Sequence, residues 1–354
     1  MKKFFFSLIT ITFILVIIFG TLNIFFSGVP LFSILNLSTS DAVYISKKEE
    51  DRNLNRVSFD KDHYVENCGE SEGGFYNLAY KKDIFGFREN DDNLFYNTDI
   101  VILGDSFGLS SCVNYPNDLT SQLKNLLKTN KILNISVGGT GPYYQKEMLI
   151  NLFNKNDTKF NSLVWLFYEG NDHGDLKRHY GKIYNFNFEI NRNRNKQSVD
   201  LTKVNYLPSE NVIILRIKLF LANYFRGFGS LVKYLKTYPP LLPNEEQYDN
   251  VVKDLSNYLN KKNIKKKIIF YIPVYTRLSY NDIAYPRPPH LKQFDQLKSF
   301  VEKTAKKYDF KFVDGAALFS KHKDPLSNFN YRLPTHFNIE GYKSLAEFIS
   351  DELN

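Results

Sequence analysis

Asp99-Ile-Val-Ile-Leu-Gly-Asp-Ser-Phe-Gly108 carries the pattern from which the architecture of the chain follows. Residues 100–103 form an unbroken run of β-branched and aliphatic side chains. That is the pattern of a strand covered on both faces in a parallel sheet. The run stops at Gly104, and an acid, a serine and a phenylalanine follow. After a polar loop, residues 119–127 have helical spacing. A buried strand that turns sharply and presents a serine at its carboxyl end puts a hydroxyl where open α/β sheets hold their ligands. Gly-Asp-Ser alone also suits an ordinary turn, so the weight of Ser106 depends on the rest of the chain.

Downstream, buried-strand patterns recur at 132–136, 163–167, 268–272 and 311–313. Helical patterns lie between or beside them at 144–153, 248–259 and 291–308, and a final helix is expected at 341–353. Strands alternating with helices predict an α/β fold, a three-layer α/β/α sandwich around a parallel sheet of about five strands. The gap between the third and fourth strands is too long for a simple crossover, so an insertion is expected at about 173–245. Its first part, 173–210, is rich in Asn, Lys and Arg and reads as loop. Its second part, 212–235, is apolar but carries Arg216, Lys218, Arg226 and Lys233. A buried cap helix or a helix on the membrane surface fits it better than a spanning one.

Upstream, Met1-Lys2-Lys3 precedes an uncharged apolar run at 4–26, long enough to cross a hydrocarbon core. The run is longer than the apolar region of a cleaved signal peptide, and Ser27-Gly28-Val29-Pro30 makes a poor cleavage site. An uncleaved membrane anchor is expected, with the N-terminus cytoplasmic and the rest of the chain outside. The expected division is an anchor at 1–30, a stalk and lead-in segment at 31–95, and the α/β domain at 96–354. Residues 84–88, Ile-Phe-Gly-Phe-Arg, are expected to pack against the sheet edge.

The 354 residues are 43% hydrophobic and 16% aromatic, enough for one substantial core and outside the range of disordered chains. The formal charge of +8 is mostly dispersed lysine. No nucleic-acid motif accompanies it, so no nucleic-acid partner is expected. The two cysteines, Cys68 and Cys112, show no metal-binding spacing. No metal or cofactor is expected, and in an oxidising compartment the pair could bridge the lead-in segment to the loop after Ser106.

Three clusters join Ser106 at the strand ends. Asn134-Ile-Ser-Val-Gly-Gly-Thr-Gly141 follows the second strand, Glu169-Gly-Asn-Asp172 the third, and Thr335-His-Phe-Asn338 precedes the final helix. Gly104-Asp-Ser-Phe107, Val137-Gly-Gly-Thr140, Gly170-Asn-Asp172 and His336, in this order, resemble the SGNH (GDSL-like) hydrolase family from about residue 100 to the end. The resemblance implies that Ser106 is the nucleophile and His336 its base. It also implies an oxyanion hole made of the Ser106 and Gly139 N–H groups and the Asn171 side chain. It points to a membrane-anchored serine esterase or O-acyl (acetyl) transferase, with acylated carbohydrate the first substrate class and lipid or fatty-acyl ester the second.

Asp105 and Asp172 read as turn-holding residues. The family usually carries an aspartate two or three residues before the histidine, where this chain has Pro334 and Leu333. Asp172, Asp314 and Asp324 are the acids left to orient the ring, or a backbone carbonyl does so. The departure leaves a second reading open, a non-catalytic glycan-binding module that has lost its orienting acid. For an enzyme it predicts weak to moderate activity that falls as the histidine becomes charged, near its ordinary pKa of about 6.5.

Overall fold

The computed structural model describes residues 10–18, 63–68, 76–81, positions 83, 85, 87 and 88, and residues 97–113, 115–156, 159–184, 186, 244–279, 289–329 and 336–354. Two short strands, β1 (His63–Cys68) and β2 (Tyr76–Lys81), form an antiparallel pair. The lead-in segment therefore contains a hairpin that its glycine-rich, charged sequence does not announce.

The main sheet has five strands, β3 (Ile100–Leu103), β4 (Ile132–Asn134), β5 (Ser162–Tyr168), β6 (Lys266–Ile272) and β7 (Lys311–Asp314). Every neighbouring pair is parallel, in the order β4-β3-β5-β6-β7. The chain passes from β3 outward to β4, then crosses back to the other side of β3. This reversal opens a crevice at the carboxyl ends of β3 and β5, where doubly wound sheets bind ligands.

Alternate side chains of each strand feed two cores. Ile100, Ile102, Val164, Leu166, Ile268, Phe270 and Val313 point to one face. They pack there against α2 (Leu119–Leu127) and α9 (Ile339–Leu353), through Leu119, Leu123, Leu345 and Ile349. Val101, Leu103, Leu163, Trp165, Phe167, Ile269 and Tyr271 point to the other. Their partners are α3 (Pro142–Asn156), α5 (Glu245–Lys261) and α7 (Pro289–Lys307). Both faces are covered, so the strand sequences run apolar without alternation. Burying each large apolar side chain contributes about 1.5–3 kcal/mol. Between the longer elements lie α1 (Ser106–Leu109), α4 (Asp172–His179), α6 (Tyr275–Ser279) and α8 (Gly315–Ser320).

α4 corrects the loop-like reading of the start of the insertion. Asp172 and Asp175 occupy its first turn and Lys177, Arg178 and His179 its last. Each charge complements the helix dipole, and Leu176 is fully buried. The remainder of the expected insertion, 187–243, lies outside the described residues, as does the expected cap helix at 212–235.

Of the expected anchor at 4–26, residues 10–18 are described and form an exposed helix; the other positions lie outside the described residues. Among the described residues, no helix is long and apolar enough to cross a membrane.

Phe87 and Arg88 join the lead-in segment to the α/β domain. Phe87 is buried in the second core. The Arg88 guanidinium donates to the carbonyls of Leu109 (3.1 Å), Ser110 (2.8 Å) and Val113. Cys112 is buried and disulfide-bonded, and the chain has one other cysteine, Cys68. Ser110 and Cys112 have φ of 61° and 62°, left-handed values that cost non-glycine residues free energy and need outside support. Reduction of the full chain is expected to lower its stability by about 2–4 kcal/mol. Thiol titration of the denatured, unreduced protein checks the bond and should find no free thiol.

Candidate active site

Ser106 opens α1 directly after the turn that ends β3. Asp105 caps this short helix, its Oδ1 accepting the Phe107 N–H at 2.9 Å. Asn134 at the end of β4 ties the helix down by donating to the Gly108 carbonyl at 2.7 Å and to Thr120 Oγ1 at 2.9 Å. Gly108 is required here, since a Cβ would lie 2.2 Å from Ser136 Oγ.

His336 arrives from the opposite end of the sequence. Phe337 beside it is fully buried, bridges to Phe329 and packs edge-on against Phe107. Asn338 caps α9 through Oδ1, which accepts the Gly341 N–H at 2.9 Å. The anchored Phe337 and Asn338 fix the histidine, whose ring lies 5.0 Å from that of Phe107. Its Nε2 is 2.8 Å from Ser106 Oγ, a nucleophile-to-base hydrogen bond across 230 positions of sequence.

The other expected site residues lie at the same end of the sheet. Asn171 occupies the N-cap position of α4 at the end of β5, and its side chain is near enough to the Asp105 carboxyl to favour that group's charged form. In the loop after β4, a Cβ on Gly138 would lie 3.7 Å from that of Ser106. Gly138 thus passes beside the serine at ordinary contact distance. Gly139 is exposed and has φ of +72°, a conformation that favours glycine. Gly141 then lets the loop touch α4, where a Cβ would meet the Asp175 backbone at 2.6 Å.

Two carboxyls lie fully buried behind the serine. Burial pushes Asp105 above its ordinary pKa, while the Phe107 N–H, the His336 charge, the Asn171 amide and the Ser106 hydroxyl pull it back. Burial, and then repulsion from Asp105, pushes Asp172 well above the carboxylate range. Its Oδ2 accepts the Tyr168 N–H at 2.9 Å, the turn-holding contact expected of it.

Asp314 caps α8 and pairs with Lys298 at 2.6 Å, so its carboxylate serves the fold. Leu333 and Pro334 lie outside the described residues. Among the described residues, no group of His, Cys, Asp and Glu is placed to hold a metal ion.

Sequence reasoning passed over the clamp beside Asn171. Glu169 is fully buried at the end of β5, where both its carboxylate oxygens accept Arg277 Nε at 2.9 Å. Tyr271 donates to it at 2.7 Å and the Val274 N–H at 3.0 Å. Burial works against the Arg277 charge. The hydrogen bonds it donates to Glu169 and Asp295 and the charge of Glu169 outweigh that and push its pKa further up. The signal was a lone arginine shortly after an apolar strand, and nothing in the sequence said that it points inward.

No family model matches the chain, and no curated protein matches it. Among solved structures, it is similar to the acetyl xylan esterase AlAXEase, with 11% identity and a TM-score of 0.44, over 72% of this chain and 100% of that one. It is similar to a putative lipolytic protein of the G-D-S-L family from Desulfitobacterium hafniense DCB-2, with 12% identity and a TM-score of 0.40, over 72% of this chain and 99% of that one. A third is the acetylxylan esterase Axe2 from Geobacillus stearothermophilus, with 15% identity and a TM-score of 0.39, over 74% of this chain and 96% of that one.

Proposed function

We propose that the chain is a serine ester hydrolase or O-acyltransferase of the SGNH type. The observation that carries this reading is the 2.8 Å contact between His336 Nε2 and Ser106 Oγ at the reversal point of the sheet. A ring turned away from the serine would have favoured a glycan-binding module without turnover.

In this mechanism the Ser106 hydroxyl gives its proton to His336 Nε2 while Oγ bonds to the acyl carbon. The carbonyl oxygen becomes an oxyanion, stabilised by the Ser106 N–H, the Asn171 amide and an N–H of the Gly138-Gly139 turn, Gly139 being the family's choice. The bond to the leaving oxygen breaks and that oxygen takes the proton from His336. Water, or a sugar hydroxyl in a transferase, then repeats the steps on the acyl-serine.

The substrate class we assign first is O-acetylated carbohydrate, by the motif resemblance, with lipid ester second. We further propose that residues 4–26 anchor the domain to a membrane and that the domain lies outside the cytoplasm. An uncharged apolar run, an exposed apolar helix at 10–18 and a disulfide-bonded Cys112 support this.

The test is hydrolysis of p-nitrophenyl acetate and acetate release from acetylated xylan by the full chain, each against Ser106→Ala. Release above that background is expected, and its absence on every acetyl ester overturns the reading. Label passed from the ester to an acceptor sugar, rather than to water, identifies a transferase.

A further inference from the structure

We propose that Asp105 supplies a negative charge to the Ser106–His336 pair. The inference rests on Ser106 being the nucleophile. It gives a positioning role to an acid that the motif alone reads as a turn former.

The Ser106 hydroxyl lies between two acceptors, His336 Nε2 at 2.8 Å and Asp105 Oδ2 at 3.3 Å. The carboxylate oxygen is therefore no further from the ring nitrogen than those two distances laid end to end. A hydroxyl has one proton. With the ring neutral, Oγ–H donates to Nε2, which is the reactive arrangement. With the ring protonated, Nε2–H donates to Oγ and the hydroxyl proton turns to Asp105. The second arrangement is a chain of imidazolium, hydroxyl and carboxylate, and the opposite charges raise the proton affinity of the ring. The same attraction acts when His336 takes the serine proton during attack. Asp105 itself neither gains nor loses a proton.

The hydrogen bonds decide which buried acid carries the charge. Asp105 has two donors in reach, the Phe107 N–H on Oδ1 at 2.9 Å and the Ser106 hydroxyl on Oδ2 at 3.3 Å. Asp172 accepts the Tyr168 N–H on Oδ2, and its buried Oδ1 has no hydrogen-bond partner among the described residues. Two repelling carboxyls in one buried site do not both ionise at neutral pH. The better solvated one, Asp105, holds the charge, and Asp172 holds the proton. Among the described residues, Asp105 faces the pair directly and Asp172 lies behind it, with Asp175 and the buried Tyr248 hydroxyl next to Asp172.

Asp105→Asn keeps the size of the side chain and the capping oxygen but removes the charge. The first readout is NMR titration of the His336 ring, which needs no turnover. Its midpoint is expected to fall by roughly half a pH unit or more relative to the parent. The second is the pH profile of kcat/KM on p-nitrophenyl acetate. The rate should drop by about 10²–10⁴-fold, and the acidic limb should move to lower pH.

An unmoved His336 midpoint, or a parental rate, overturns the proposal. A lower Tm and a lower rate with an unmoved midpoint show a folding role alone and also overturn it. Asp172→Asn is the second variant, and it decides the matter if Asp105→Asn does not fold. It is expected to leave the His336 midpoint in place, and a downward move there assigns the charge to Asp172 instead. A parent without esterase activity would count against the proposed function, while the NMR midpoints would still decide which acid holds the charge.

Discussion

His336→Ala is expected to lower kcat/KM for a short-chain ester by about 10⁴-fold or more. A serine hydroxyl is a poor nucleophile until a base takes its proton, and Nε2 of His336 stands 2.8 Å from that hydroxyl. The other acceptor in reach, Asp105 Oδ2, is further away at 3.3 Å and is already engaged by its neighbours. The loss should fall on kcat, because His336 acts in the proton transfer rather than in holding the acyl group. Added imidazole should restore part of the rate, since a small base can enter the space left by the ring. In the parent, activity should decline as the solution becomes acidic enough to protonate His336, because only the neutral ring can accept the serine proton. Steady-state rates of the two proteins across pH check this, and a variant as active as the parent rules out the role.

Arg277→Met is expected to destabilise the protein by about 3–5 kcal/mol, because it leaves the Glu169 charge buried without its counter-charge. Arg277 and Glu169 are buried at 4% and 0% exposure, so little solvent screens the pair. For a domain of this size the loss corresponds to a Tm lower by roughly 10 °C. The double variant Glu169→Gln, Arg277→Met should recover part of the loss, because no charge is then stranded. Activity should fall together with stability. Glu169 stands two residues before Asn171, and the clamp fixes the end of β5 to the loop after β6 through Val274. Calorimetry on the three proteins checks the order, and a Tm of Arg277→Met equal to that of the parent contradicts it.

The parallel sheet was legible because β3, β5 and β6 are buried on both faces, and such strands read as continuous apolar runs. The helix at Leu119–Leu127 was equally plain, with Asp118 as its cap and Leu119 and Leu123 turned inward. β1 and β2 were not legible, since His63–Cys68 and Tyr76–Lys81 mix polar, charged and apolar residues and contain no continuous apolar run. α4 was hidden for another reason. Its eight residues hold one large apolar side chain, Leu176, and its stability comes from charge placement and from contact with Gly141.

Within the site, Ser106, Asn171 and His336 could be named from motif order. Gly139 was named from the family resemblance, and its neighbour Gly138 passes beside the serine. What the sequence hid was the company of Asp105, whose carboxylate lies 3.3 Å from the Ser106 hydroxyl that also faces His336. Side-chain direction inside a crevice follows from the tertiary fold, and short motifs carry little of it.

The account stands on Ser106 as a nucleophile activated by His336. The most direct measurement is labelling of the full chain with a fluorophosphonate, followed by mass spectrometry of the peptides. The prediction is a single adduct on Ser106, absent in Ser106→Ala and strongly slowed in His336→Ala. An intact protein that forms no adduct, or forms it on another residue, would contradict the account.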